Sequence, residues 1–346
     1  MTRVMVVGAG GKLGKIICNE VLRSCTPAEL IVTDYKKLRG KELIQSLPGQ
    51  VEFHLLDIYN RKNVEEVIQD IDIVIVCVKQ VHPHVQEICI RRQILCIDVT
   101  PFGKLVDCIY DLEHKAKARK ACSIVMAGFI PGLSGMLVKK AIIPFDEIDE
   151  VNVSFLQSSN ANAGITGAID MLQLISQPVT YGTRTVRGFK EKGKVPHTQN
   201  TVRLISHPEK DYLANKLAIP AINYWTAWND KLFNLKVAVL LTTNLLPLLK
   251  KHRALFEKQI KHDPSLKEDV SITVEVRGTI SNQTIKRGYC LTAFSDYEMT
   301  AMVTVALAKI IHNKKVSGVY FPFEVAAFDE IIAEISHERV NLVELT

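Results

Sequence analysis

Two kinds of apolar pattern alternate along the N-terminal part of the chain. β-branched runs fall at residues 4–7, 30–33, 51–56, 71–78, 94–99 and 124–126. Segments with helical spacing lie between them, at 14–24, 38–47, 63–69, 84–92 and 106–121. This alternation predicts βαβ units and a parallel sheet. The run Ile73-Val74-Ile75-Val76-Cys77-Val78 is apolar at every position, as expected of a strand covered by helices on both faces. The fold class expected is α/β, with an N-terminal Rossmann domain built on a doubly wound parallel sheet.

The pattern changes after Gly132. A helix is predicted over 133–143 and an alternating strand over 150–156, followed by a polar, turn-rich stretch over 157–207. Next come a leucine-rich helical region and a hairpin of strands 270–276 and 285–293 that turns at Ser281-Asn282. A helix over 299–312, an amphipathic segment over 323–335 and a short strand over 340–345 complete the chain. Long antiparallel strands in place of βαβ units predict a second α+β domain on a mixed or antiparallel sheet. A chain of 346 residues is long enough for two such cores.

The first strand runs into Gly8-Ala9-Gly10-Gly11-Lys12-Leu13-Gly14, and a helix follows. The spacing is Gly-x-x-Gly-x-x-Gly with an extra glycine at Gly10. Glycines here permit a tight turn, close approach of backbone N–H groups to a pyrophosphate, and close helix–strand packing. The helix N-terminus adds a favourable dipole. The second strand ends at Asp34, about 20 residues beyond Gly14, where an acid hydrogen-bonds a ribose diol. The cofactor-binding set is therefore Gly8, Gly10, Gly11, Lys12, Leu13, Gly14 and Asp34, with Val78 at the end of strand four and Asp57 placed near the adenine. The cofactor expected is NAD or NADP. Asp34 favours NAD by repelling a 2′-phosphate, while Lys36, Lys37 and Arg39 supply the charge that would accept one.

Composition narrows the classes. A content of 47% hydrophobic and 23% charged residues is that of a globular chain, and the net charge of +6 is small for this length. The basic run Lys250-Lys251-His252-Arg253 reads as a solvated helix face, and without interleaved aromatics it gives no expectation of nucleic-acid binding. The most apolar stretch, 235–249, contains Lys236, Asn244 and Pro247 and falls short of the ~20 residues that span a bilayer, so no membrane partner is expected. No leader pattern precedes the first strand, and none of the eight cysteines forms a Cys-x-x-Cys pair. Reduced core thiols, a cytoplasmic location and no metal site are expected.

The sequence resembles the saccharopine dehydrogenase-like family, which includes saccharopine reductases and lysine dehydrogenase-like proteins. The residues that carry the resemblance are the glycine loop with Asp34, Gly128-Phe129-Ile130-Pro131-Gly132-Leu133, the hairpin around Gly278, and Gly318-Val319-Tyr320-Phe321-Pro322-Phe323-Glu324. The resemblance implies that the chain returns to the dinucleotide domain from Gly318 onward. Domain one is then residues 1–131 plus 318–346, and 132–317 is a substrate and dimerisation domain. Ile130 and Ser134 stand where saccharopine reductases carry acids, and Ser158 or Ser159 where they carry a cysteine. Those acids would hold the amino groups of the substrate.

Ligands of open α/β sheets bind beyond the carboxyl ends of the strands. Strand four ends in Lys79-Gln80-Val81-His82-Pro83-His84 and strand five in Asp98-Val99-Thr100-Pro101. Proton transfer beside a hydride path suits a histidine or a desolvated lysine. The catalytic candidates are Lys79, His82 and Asp98, then His84, against a capping or surface role for each. The segment 158–167 is a candidate wall for a substrate carboxylate, or an ordinary loop with an N-cap at Thr166. Tyr212-x-x-x-Lys216 copies the short-chain dehydrogenase pair, but so short a motif recurs by chance and receives no role. The function expected is an NAD(P)-dependent oxidoreductase, an enzyme acting on a C–N bond of an amino acid or amino-acid conjugate through hydride exchange with an imine carbon. Its partners are a small amino-acid-like substrate and a second copy in a homodimer. The alternative is a dinucleotide-binding sensor or partner-binding protein without turnover, which the missing acids favour. A third reading is an atypical short-chain dehydrogenase relative, suggested by the glycine spacing and opposed by the antiparallel domain.

Overall fold

The computed structural model describes residues 2–25, 28–49, 51–161, 164–195, 200–243, 245–251, 262–335 and 340–346. They form two compact units, Met1–Met136 with Tyr297–Ile335, and Leu137–Asp296 with Ser336–Thr346.

The first unit holds a sheet of β1 (Thr2–Val7), β2 (Ala28–Asp34), β3 (Val51–Leu55), β4 (Ile73–Val76), β5 (Leu95–Asp98), β6 (Cys122–Ile124) and β15 (Gly318–Tyr320). The order is β15-β6-β5-β4-β1-β2-β3, with every pairing parallel. β1 lies between β2 and β4, so the strand order reverses there, the place where doubly wound sheets bind ligands. β4 is buried at every position, as its unbroken apolar run predicted, and so is β5, whose last residue is Asp98. Met5, Val7, Val74 and Val76 pack with Val85, Ile88 and Cys89 of the helix His84–Arg92 in one continuous core. All eight cysteines are unpaired. Burial pushes the Cys18 and Cys122 thiols up to about 12, which makes them inert packing groups.

The second unit holds a mixed sheet, order β10-β11-β12-β7-β13-β14-β16. Its strands are β7 (Glu147–Gln157), β10 (Lys192–Lys194), β11 (Thr201–Ile205), β12 (Ile222–Trp228), β13 (Asp269–Ile280), β14 (Gln283–Phe294) and β16 (Val340–Leu345). β7 and β12 pair in parallel and the other neighbours are antiparallel. β8 (Pro178–Tyr181) and β9 (Arg184–Arg187) make a separate hairpin. The β13–β14 turn is Ser281-Asn282 as predicted, with φ of 50° and 64°, the left-handed pair of a tight hairpin. Register puts Val153, Tyr224 and Val274 on one buried face and Asn152, Asn223 and Thr273 on the other. On the buried face the Tyr224 hydroxyl donates to Glu209 at 2.9 Å, and the His207 ring stacks on Tyr224 at 4.3 Å. Burial lowers His207 to about 3, so it is neutral at physiological pH.

Three expectations shift. The first unit regains the chain at Tyr297, not Gly318, because the helix Asp296–Lys314 is buried along most of its length and Thr304 donates to Ala127 O at 2.7 Å. The strand over 340–345 pairs with β14 rather than returning to the first sheet, so the C-terminal tail belongs to the second unit. Besides the expected helix after the 158–167 segment, found at Ile165–Ile175, the stretch 157–207 contains four short strands. Their polar composition comes from shallow burial: β9 has no fully buried residue and β8 only Val179.

Candidate functional site

The glycine loop leaves β1 and enters the helix Lys12–Ser24, whose N-cap is Gly11. Its glycines are required for different reasons. Gly8 has φ of 85°, and a Cβ there would come within 2.0 Å of Val78 Cγ1. A Cβ on Gly14 would lie 2.4 Å from Gly8 O, so helix and loop touch backbone to backbone. A Cβ on Gly10 would meet Asp34 Oδ2 at 2.3 Å. Gly11 is different: its φ is −74°, and a Cβ there meets only Gly8 O, at an ordinary 3.4 Å. The chain's own packing does not demand glycine at that point. A backbone left bare beside a helix N-terminus suits a group that approaches from outside, and an anion suits the helix dipole. Among the described residues no side chain caps this helix, and its first turn carries no acid. The residues fit the pyrophosphate of a dinucleotide.

Asp34 closes the other end of the loop. It is 4% exposed, accepts from Lys36 N at 2.8 Å, and pairs with Arg39 at 3.2 Å. The Arg39 and Lys36 cations also lie over the Tyr35 ring, at 5.9 and 5.4 Å from its centroid. Arg39 thus neutralises the carboxylate that would repel a 2′-phosphate. Beyond Tyr35 lies a cleft of about 470 Å³, lined in part by Leu55, Asp57 and Asn63. Asp57 sits two residues past the end of β3. Its carboxylate accepts from Tyr59 N at 3.0 Å, and its N–H donates to Asn63 at 2.8 Å. The structure places it in a turn at that cleft.

The ends of β4 and β5 are joined by one buried polar cluster. Asp98 is 2% exposed. Its Oδ1 accepts from Thr100 N (2.8 Å) and Thr100 Oγ1 (2.6 Å), and its Oδ2 from Gln86 Nε2 (2.7 Å) and Gln80 Nε2 (3.2 Å). Desolvation raises its pKa to about 7 against the opposing effect of these four bonds. The amide oxygens of Gln80 and Gln86 are buried without a hydrogen-bond partner. Rotating either amide would offer its oxygen to a protonated Asp98, so the cluster can hold the acid in both states. Its bonds to Gln80 and Gln86 tie the segment after β4 to the end of β5.

That segment carries the other candidates. Lys79 Nζ lies 4.1 Å from the Phe102 ring centroid, a cation–π contact that orients it. His82 is exposed, with its ring 5.5 Å from that of His84. His84 Nδ1 lies 3.8 Å from Glu87, which in turn pairs with Arg61 at 3.2 Å. Lys79 and His82 flank Gln80, which the Asp98 cluster anchors. Gln80 and Gln86 were missed by sequence reasoning. Their signal was faint, a lone amide on either side of the strand–helix turn, 18 and 12 residues from their partner. In the second unit, the helix over residues 165–175 is capped by Gly164, not Thr166, and Asn160 is tied to Asp263 and Leu266. Tyr212 and Lys216 both lie on the helix Glu209–Leu217. Among the described residues, no three His, Cys, Asp or Glu side chains gather as a metal site.

Residues 4–123 match the family model of the saccharopine dehydrogenase NADP binding domain. The whole chain is similar in fold to saccharopine dehydrogenase (L-Glu forming) from Saccharomyces cerevisiae, with a TM-score of 0.71, 10% identity and 100% of both chains covered. It is also similar to homospermidine synthase from Legionella pneumophila in complex with NAD, at TM-score 0.65 and 13% identity over 96% of this chain and 88% of that one. A third likeness is to DAP dehydrogenase of C. glutamicum in complex with DAP, at TM-score 0.52 and 14% identity over 97% of each chain. No curated protein matches the chain in sequence.

Proposed function

We propose that this chain, whose residues 4–123 match the saccharopine dehydrogenase NADP binding domain, is an NAD(P)-dependent oxidoreductase acting on a C–N bond of an amino acid or amino-acid conjugate. The observation that carries the reading is the loop itself. Gly8, Gly10 and Gly14 are fixed by internal packing while Gly11 is left open at an uncapped helix N-terminus. A bound nicotinamide dinucleotide supplies or accepts the hydride. The rest is the work of this chain's side chains. The Gly11 N–H closes the loop on Gly8 O at 3.1 Å, and the N–H groups of Lys12 and Leu13 at the helix start face the phosphates. Asp34 holds the ribose, and Arg39 is placed to answer a 2′-phosphate, so the site accepts both dinucleotides. Lys79 or His82, on the segment pinned by Asp98, moves the proton at the substrate nitrogen. Asp98 itself positions that segment.

The saccharopine and DAP named for two of the similar folds support an amino-acid-like substrate. The test is oxidation of a panel of amino acids and N-linked amino-acid conjugates with each oxidised dinucleotide, read by nicotinamide absorbance. Turnover with one class, lowered at least about tenfold by Lys79→Ala or His82→Ala, is expected of general acid–base catalysis. Full turnover in both variants would refute the proton-transfer assignment. The second reading, a dinucleotide-binding sensor without turnover, is favoured by Ile130 and Ser134 in place of the family's acids. Tight binding with no turnover across the panel would select it.

A further inference from the structure

The helices Lys231–Thr242 and Leu246–Lys251 of the second unit carry a concentrated apolar surface. Leu232 is 59% exposed, Leu235 57%, Val239 50% and Leu248 54%, and Leu245, just before the second helix, is 45% exposed. Leu232, Leu235 and Val239 follow the three-and-four spacing of a single helical stripe. The opposite side of that helix is anchored. Val237 and Leu241 are buried, the Phe233 ring lies 5.2 Å from that of Trp228, and Asn234 donates to Trp228 O at 2.6 Å. The apolar stripe is therefore an outer face, not a core face left open by poor packing.

Two further observations say what fits it. The exposed Thr242 and Thr243 turn their hydroxyls back to their own helix, to Ala238 O at 2.8 Å and Val239 O at 2.7 Å. The face then presents no unpaired hydroxyl donor, as suits an apolar surrounding. The charges in this stretch are of one sign. Lys231, Lys236 and Lys251 are exposed, and the sequence from 231 to 251 contains no Asp or Glu. A second copy docked on the same face would bring lysine rims against each other. An anionic lipid surface takes both features, the stripe entering the headgroup boundary while the lysines reach the phosphates. No helix among the described residues is long and apolar enough to cross a membrane, so the contact is interfacial.

We propose that the helices Lys231–Thr242 and Leu246–Lys251 form a docking face for an anionic membrane surface. This revises the expectation of no membrane partner, which considered only a spanning segment. It also goes beyond the dinucleotide chemistry and does not depend on it.

The full chain is mixed with phosphatidylcholine vesicles containing about 30% phosphatidylserine, and with pure phosphatidylcholine vesicles, and sedimented. Binding to the anionic vesicles, weakened by salt, is expected. The pair Leu235→Asp with Val239→Asp should abolish it. The pair Lys231→Glu with Lys236→Glu should weaken it at least about 25-fold, since each lysine near such a surface contributes about fivefold. All four positions are exposed, and circular dichroism checks that the variants are folded. Failure of the folded wild type to bind anionic vesicles would overturn the proposal, as would undiminished binding by the leucine–valine variant. Light scattering supplies the other arm: a wild-type dimer that the leucine–valine variant turns into a monomer assigns the face to a second copy.

Discussion

Replacing Asp98 by asparagine tests the buried cluster that pins the proposed proton-transfer segment. The side chain keeps its shape, and Thr100 still finds an acceptor. The new amide donor can meet Gln80 Oε1 or Gln86 Oε1, both of which lack partners. The wild-type carboxyl is raised from 3.8 to about 7 by burial, a shift of about 3 units. A raised folded-state value means that the protonated form is the better folded one. That contribution is complete below about pH 4 and is lost as pH rises through about 7. At 1.36 kcal/mol per unit the full window amounts to about 4 kcal/mol, and about 3 kcal/mol of it falls between pH 5 and pH 8. Urea unfolding of the first unit, followed by circular dichroism at both pH values, measures this directly. The Asp98→Asn variant should lose most of that slope and gain relative stability at pH 8. A variant with the same slope as the wild type would show that Asp98 ionises freely and that the cluster is not closed.

Other outcomes follow from the same geometry. His207, held neutral by burial at about 3, contributes stability that is complete above its ordinary 6.5 and is lost as pH falls toward 3. Fluorescence of Trp225 and Trp228, both in the second unit, should therefore report weakening below about pH 6, and His207→Phe should flatten it. Tyr224→Phe removes the donor to buried Glu209 and should cost about 1–3 kcal/mol in urea unfolding followed by the same tryptophans; no change would mean that Glu209 is satisfied without it. Arg39→Ala should raise the NADPH dissociation constant at least about tenfold and leave NADH little changed. Equal effects on both would show that Arg39 does not read the 2′ position.

Much of the first unit was legible because its central strand β4 is apolar at every position and its punctuation is chemical. Gly8, Gly14 and Asp34 mark the β1 turn and the end of β2 by residue type alone. The hairpin at Ser281-Asn282 was readable for the same reason, since left-handed backbone selects asparagine. The return point of the chain was not. Position 318 carries the local signal, a glycine before an aromatic run, whereas the allegiance of the helix Asp296–Lys314 is set by its burial and by the Thr304–Ala127 bond across 177 residues. The strand over 340–345 went to the first domain only by resemblance, and its pairing with β14 could not be read from so short a run. At the site, Asp98 stood out by its position at a strand end, while the four donors around it are set by the fold. Gln80 and Gln86 could not be paired with it from spacing.

The account rests on a dinucleotide bound at the loop Gly8–Gly14, and a fluorescence titration with NADH and with NADPH tests that most directly. Wild type should show saturable binding, and Gly11→Asp should abolish it in a folded protein. A Cβ at that position meets nothing tighter than 3.4 Å within the chain, so the added carboxylate would obstruct only the ligand's phosphates. No binding by folded wild type, or undiminished binding by the Gly11→Asp variant, would contradict the account.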